Sequence, residues 1–231
     1  MRGHPLCPRL ERGKEKIMRR SAATLAASFF AALLGSAAAA ETVKLPAPDL
    51  SMTVSLMTAL QNRHSERKFA DSELSPQELS SLLWSSIGVN REDGKRVAPS
   101  SLNRQEVEIY VLTKKGAWRY DAKANALVQV SEKSLLPLAA GTPERNQPYV
   151  LTAAAALIYT ADTSKLPAGR ALQNASIDSG LAVQGALLYC SAAGLACVPR
   201  TTMDGKALAE ALGLAGERQP VMNIIAGHRA P

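Results

Sequence analysis

The order of elements readable in this chain predicts an α+β fold, an antiparallel or mixed sheet packed by helices. Three observations carry that expectation. A strong helix start, Ser75-Pro76-Gln77-Glu78, precedes the first clear strands. Val107, Ile109 and Val111 then alternate with polar residues, the period-2 pattern of a strand with one face buried. From about Ala171 to Ala193 the pattern becomes helical and stays apolar almost all round. Such a helix belongs at the centre of a fold or in a subunit interface.

Residues 41–51, with Pro46 and Pro48, read as a tether, and 52–231 as one domain. A first helix is expected from Met52 to about Asn62, with Leu56, Met57 and Leu60 at helical spacing. The second begins with Ser75 as N-cap, Pro76 at the first position and Glu78 closing a capping box. Leu79, Leu82, Leu83 and Ile87 line one of its faces, and Gly88 ends it. Residues 88–96 are turn-like, and 99–105 form a polar run before the half-buried strand at 106–113. Short strands are expected at 116–121 and 126–130, and a helical turn at 134–140. The run 150–160 fits a buried strand or helix, its centre favouring strand. In the long helix Leu172, Ala175, Ser179, Ala182, Ala186 and Tyr189 form a stripe, with Gly194 as the stop. A short extended piece at 195–199, a small helix capped by Asp204 and a last strand at 221–226 complete the chain.

The net charge of +7 is unevenly placed. Residues 1–40 hold seven Lys/Arg and two acids, so +5 lies there and +2 in the remainder. A nucleic-acid partner is therefore not expected. Arg19-Arg20, an apolar run and Ala38-Ala39-Ala40 read as a secretory signal peptide cleaved near Ala40. An N-terminal anchor is the alternative, and Arg19-Arg20 leaves the choice of general or twin-arginine export open. Met18, directly before the arginine pair, is the expected translation start, with residues 1–17 an upstream extension. The expectation is an exported, periplasmic protein with no stable membrane insertion after cleavage. Cys190 and Cys197 match no common metal motif and are expected as buried, unpaired thiols; in an exported chain a bridge between them stays open.

Chemistry is sparse. The 41–231 segment has only His64 and His228, and no carboxylate cluster with ligand spacing, so no metal site is expected. There is no G-x-S-x-G, no Walker loop and no G-x-G-x-x-G. What remains are polar islands at the ends of regular elements: Arg63–Arg67, Pro99–Gln105, Cys197–Thr202 and His228-Arg229. If the chain is extended at 63–67, Arg63, Ser65 and Arg67 fall on one side, and two guanidinium forks with a hydroxyl suit a phosphate. A continuous helix there would turn Ser65 away, and a solvated basic turn is the plain alternative. Asn103 can both donate to and accept from the polar edge of a ring.

In this order and spacing the motifs resemble those of the nitroreductase-like FMN-dependent oxidoreductases, from about Leu56 to Arg229. Arg63-x-Ser65-x-Arg67-x-Phe69 is similar to that family's opening phosphate motif. Leu79-x-x-Leu82-Leu83-Trp84 with Gly88-Val89-Asn90-Arg91 resembles the branch of the peptide-azoline oxidases. Arg96-x-Ala98-Pro99-Ser100-Ser101-x-Asn103-x-Gln105 is similar to the segment that reaches the flavin ring from a partner subunit. Ile177-Asp178-x-Gly180 and Gly194-Leu195-Ala196 resemble the two ends of a long central dimer helix.

The resemblance implies a nitroreductase-like α+β fold and a homodimer with FMN at its interface. Arg63, His64, Ser65 and Arg67 would hold the phosphate end, helped by Arg229 and His228. Pro99, Ser100, Ser101 and Asn103 would line the ring from the second chain, with Val198 and Pro199 over it. The catalytic step would be carried by the flavin. Arg200-Thr201-Thr202 departs from the small residues common there, and Arg200 is a candidate modulator favouring an anionic substrate or the reduced flavin. The implied activity is a two-step transfer between NAD(P)H or a small organic donor and a nitro compound, quinone or oxygen. The alternatives are an exported flavin carrier without turnover, or an anion-binding module without flavin.

Overall fold

The computed structural model describes residues 40–231. The signal-peptide reading and the start at Met18 rest on residues outside those described.

A seven-stranded, wholly antiparallel sheet organises the chain. Its strands are β1 (Thr42–Lys44), β2 (Val107–Thr113), β3 (Gly116–Asp121), β4 (Ala126–Ser131), β7 (Ala155–Asp162), β8 (Ala196–Arg200) and β9 (Arg218–Gly227), in the order β1-β4-β3-β2-β7-β9-β8. Two-residue strands β5 (Gly141–Thr142) and β6 (Arg145–Asn146) form a separate hairpin. The helices are α1 (Leu56–Asn62), α2 (Pro76–Ile87), α3 (Leu136–Ala140), α4 (Ala171–Ala192) and α5 (Gly205–Ala211). Among the described residues no helix is long and apolar enough to cross a membrane.

The sheet has a core on each face. Alternation along the inner strands divides them: Ile109, Val111, Leu157 and Tyr159 meet Leu82, Leu83, Val183 and Leu187 of α2 and α4. Tyr110, Leu112, Ala156 and Ile158 meet Leu136, Ala139 and Leu208 of α3 and α5. β2 is therefore buried on both faces, not half-buried as its polar neighbours suggested. Tyr110 and Leu112 are apolar enough to serve a second core that the first three alternating positions did not announce.

The helices obey their caps. Ser75 Oγ accepts from the Glu78 N–H at 3.2 Å, and the Ser75 N–H donates to Glu78 Oε2 at 2.7 Å, closing the expected box. α1 starts later than expected because Ser55 is its N-cap, its hydroxyl accepting from the Thr58 N–H at 3.1 Å. α4 packs on α2 through Ala182, Ala186 and Gly185. A Cβ on Gly185 would lie 2.2 Å from Ser85 O, so only glycine allows this approach. Ser86 Oγ fills the same contact, donating to Ala182 O at 2.9 Å with Tyr159 Oη 2.9 Å away. The small-residue stripe thus serves backbone approach, and Leu172, expected within it, is exposed instead.

Two further expectations change. Part of the segment read as a tether is structured: Thr42 pairs with Val128 and Lys44 with Ala126, while Leu45 is buried. Strand formation there answers the open edge of β4, a partner too distant in sequence to be read locally. Cys190 and Cys197 are buried as expected but form a disulfide, not free thiols. Gly194, at φ +71°, reverses the chain after α4 and brings their Cα atoms to 6.3 Å. Closing so short a loop contributes about 2 kcal/mol on the chain-entropy account. Reduction, or Cys197→Ser, is expected to lower the denaturation free energy by that amount; an unchanged urea midpoint would count against the bridge.

Candidate active site

α1 ends at Asn62, and Arg63 is already extended at φ −63° and ψ 117°. That meets the condition for Arg63, Ser65 and Arg67 to share a side. The stretch is laid along β8 by the Glu66 N–H, which donates to Cys197 O at 3.0 Å. Glu66 does not neutralise the arginines. Its Oε1 accepts from the Lys68 and Arg67 N–H groups at 3.0 and 2.8 Å, and these bonds hold its carboxyl below the usual range. Among the described residues no carboxylate lies within ion-pairing distance of Arg63, Arg67 or Arg229.

Arg229 arrives from the other end of the chain. It forms a bridge with Phe69, flanked by the Ala70 N–H to His228 O at 3.0 Å and the Ala230 N–H to Lys68 O at 3.3 Å. His64 and Arg229 line a cleft of about 490 Å³ with Asn62, Ser191 and Gly194, and Arg63 lines the small cavity beside it. His64 Nδ1 sits 2.8 Å from Asn62 O, which fixes the ring at the rim. Glu66 Oε2 lies 3.9 Å from His64 Nε2, and Ser65 and Arg67 line neither cavity. A concave surface with Arg229 in it and Arg63 beside it, neither paired with a carboxylate among the described residues, is chemically fitted to a phosphate.

His228 is a correction. Its ring turns to the opposite side from Arg229, with Nδ1 2.8 Å from Ser72 Oγ and Nε2 3.0 Å from Glu78 Oε1. It ties the last strand to the α2 cap and is not part of the anion cleft. Val198 is a second correction, since its side chain is fully buried in the core under α3 and α5. Alternation leaves Pro199 on the open side of β8.

Arg200 is also not where a substrate could meet it. Only 8% exposed, its Nε donates to Gln147 Oε1 at 2.9 Å, Nη1 to Ala139 O at 3.0 Å and Nη2 to Ala140 O at 3.3 Å. Its carbon Cζ lies 5.6 Å from the Tyr149 ring centre. Burial lowers its pKa, the Tyr149 hydroxyl opposes this and the nearby Arg67 charge adds to it. Arg200 is a strut joining β8 to the α3–β5 junction, and its charge adds to the field behind Arg67.

Pro99, Ser100, Ser101 and Asn103 sit elsewhere. The loop docks on the N-terminal half of α4, where Asp178 Oδ2 accepts the Ser101 N–H at 2.7 Å. The anion cleft meets α4 at Ser191, whose hydroxyl donates to Ala59 O at 2.7 Å. Thirteen residues of helix separate Asp178 from Ser191, about 20 Å at 1.5 Å each. One chain cannot close both groups on one small ligand. The loop is itself held in an unusual form: Leu102, Asn103 and Gln105 have φ of 53°, 52° and 49°. Sequence reasoning passed over Asp178 as a site residue and over Glu106 beneath it; a lone acid at a strand start reads as solvent-facing.

A sequence profile described as the nitroreductase family matches residues 60–228. A nitroreductase-type protein of Methanocaldococcus jannaschii is 26% identical over 170 residues, 68% of this chain and 83% of that one. The solved structure of a nitroreductase-type protein from Ralstonia eutropha superposes with a TM-score of 0.75 at 29% identity, covering 86% of this chain and 93% of the other. Nitroreductase A of Vibrio parahaemolyticus, at 23% identity and a TM-score of 0.56 over 78% of this chain and 70% of its own, shares the fold. The expected nitroreductase-like fold is thus the observed one, its sheet antiparallel and its long helix central. The chain belongs to the nitroreductase family and is an oxidoreductase of that family.

Proposed function

We propose that the protein is an exported, FMN-dependent oxidoreductase that works as a homodimer. The observation that carries this reading is the split site: a cationic cleft and a strained polar loop at opposite halves of α4. Two copies related by a two-fold axis, with their long helices apposed, bring the cleft of one to the loop of the other. Exposed apolar residues supply a surface for that contact, Leu56, Met57 and Leu60 on α1 with Ile177 and Leu181 on α4. Export is supported by the Cys190–Cys197 disulfide, which persists in oxidising compartments.

Arg63, Ser65, Arg67 and Arg229 hold the FMN phosphate, with His64 at the rim. The partner subunit's Pro99, Ser100, Ser101 and Asn103 face the ring, and Pro199 with the Val198 backbone bounds it from this chain. Bound FMN supplies the hydride and electron chemistry, accepting from one substrate and passing on to the next. The protein's own part is to bind, to orient and to keep the site dry. No side chain need act as a strong base, because the chemistry would be carried by the flavin. The donor is NAD(P)H or a small organic molecule, and the acceptor a nitro compound, quinone or oxygen.

Purified protein is expected to be yellow and to release FMN on denaturation. A colourless protein that takes up no added FMN would remove the reading. Reduction of the bound flavin by a candidate donor, followed by reoxidation with a nitro compound or quinone, separates an enzyme from a carrier.

A further inference from the structure

The disulfide lies beside the anion cleft. Cys190 and Cys197 both line the small cavity that Arg63, His64 and Arg229 also line. At 1% and 3% exposure neither cysteine can meet a ligand, so any part they play there runs through what they hold.

The stretch Arg63–Arg67 belongs to no helix or strand. Its backbone is set by two anchors, and each stands at one end of the bridge. At the first, Ala59 O in α1 accepts both the Arg63 N–H at 3.0 Å and the Ser191 hydroxyl at 2.7 Å, and Ser191 follows Cys190 in α4. At the second, the Glu66 N–H donates to the carbonyl of Cys197 itself at 3.0 Å, the only hydrogen bond between this stretch and β8 among the described residues. β8 gives that second anchor little support of its own. It is an outermost strand of five residues, with β9 on one side and no strand on the other. The chain reaches it from α4 through the reversal at Gly194. The disulfide ties the residue that receives the Glu66 amide directly to the helix that carries the other anchor.

We propose that Cys190 and Cys197 are positioning residues for the phosphate clamp. Their bridge fixes the separation of the two anchors, and with it the path of the chain from Arg63 to Arg67. Without it, β8 and the end of α4 shift against each other, the Glu66 bond opens more often, and the guanidinium groups lose their common aim. The effect on ligand rests on the reading of this cleft as the FMN phosphate site; the hold on the backbone does not. A flavin without a phosphate makes no use of the clamp and is indifferent to the bridge.

The test compares the oxidised protein with Cys190→Ala/Cys197→Ala. It reads hydrogen exchange of single amides without flavin, and then affinity for FMN and for riboflavin. Protection of the Glu66 amide is expected to fall in the variant, by about tenfold more than any fall at Ala70. The Ala70 N–H donates to His228 O at 3.0 Å, beyond the far end of the stretch, and reports general opening. FMN should bind about tenfold more weakly, and riboflavin, which lacks the phosphate, equally well. A bridge that only supports the fold would expose both amides alike and weaken both ligands alike. Level protection at Glu66, equal losses at Glu66 and Ala70, equal losses for the two ligands, or an unchanged FMN affinity overturns the proposal. Should the variant not fold, wild type refolded in a phosphine reductant, its two free thiols counted, takes its place with the same expected and overturning results. Exchange as expected in a protein that takes up no FMN keeps the hold of the bridge and removes the flavin reading. Level exchange in a protein that binds FMN does the reverse.

Discussion

Arg67→Ala is expected to weaken FMN binding about thirty-fold, the loss of about 2 kcal/mol that a charge-assisted contact to phosphate contributes. The side chain is exposed and has no ion-pair partner among the described residues, so its removal leaves the fold alone. Arg200 behind it carries an unbalanced charge of its own, which raises the electrostatic share of the loss. Lys68→Ala is the matched control, an exposed cation one residue along that alternation points to the other side. Fluorescence titration with FMN decides between them. Equal losses in both variants would mean diffuse attraction to a basic surface, and the clamp would have to be given up.

A larger effect is expected at the proposed interface. Ile177 and Leu181 stand one helical turn apart on the exposed side of α4, 53% and 47% exposed. Burying each contributes about 2 kcal/mol, and a two-fold axis counts every substitution twice. Ile177→Lys with Leu181→Lys therefore removes about 8 kcal/mol of association energy, enough to dissociate the dimer at ordinary concentrations. Light scattering should report a monomer, and FMN should be lost with the partner because the loop is lost with it. A monomer that keeps FMN at wild-type affinity would show that one chain completes the site.

What could be read from the residues follows the range of the interactions. The α2 capping box and the end of α1 before Arg63 are fixed by neighbours within four residues, and both were legible. β1 was not, because its partner β4 lies more than eighty residues on. The disulfide depended on the tight reversal at Gly194, which two cysteines seven apart do not specify. At the site, residue types announced a clamp but not which way each side chain turns. His228 and Arg229 are adjacent, and strand alternation sends one to Glu78 and the other to the cleft. Val198 and Arg200 alternate inward together for the same reason.

The position of β9 governs when this protein can form at all. The last strand of the chain is not at an edge of the sheet but between β7 and β8, and Arg229 follows it by two residues. A growing chain therefore holds β8 without its only partner strand, and the cleft without its third arginine, until synthesis has passed Gly227. Closure of this side of the sheet must wait for β9, and its long-range pairing makes it slow. On the proposed reading, the FMN phosphate would find its third arginine only after β9 has paired.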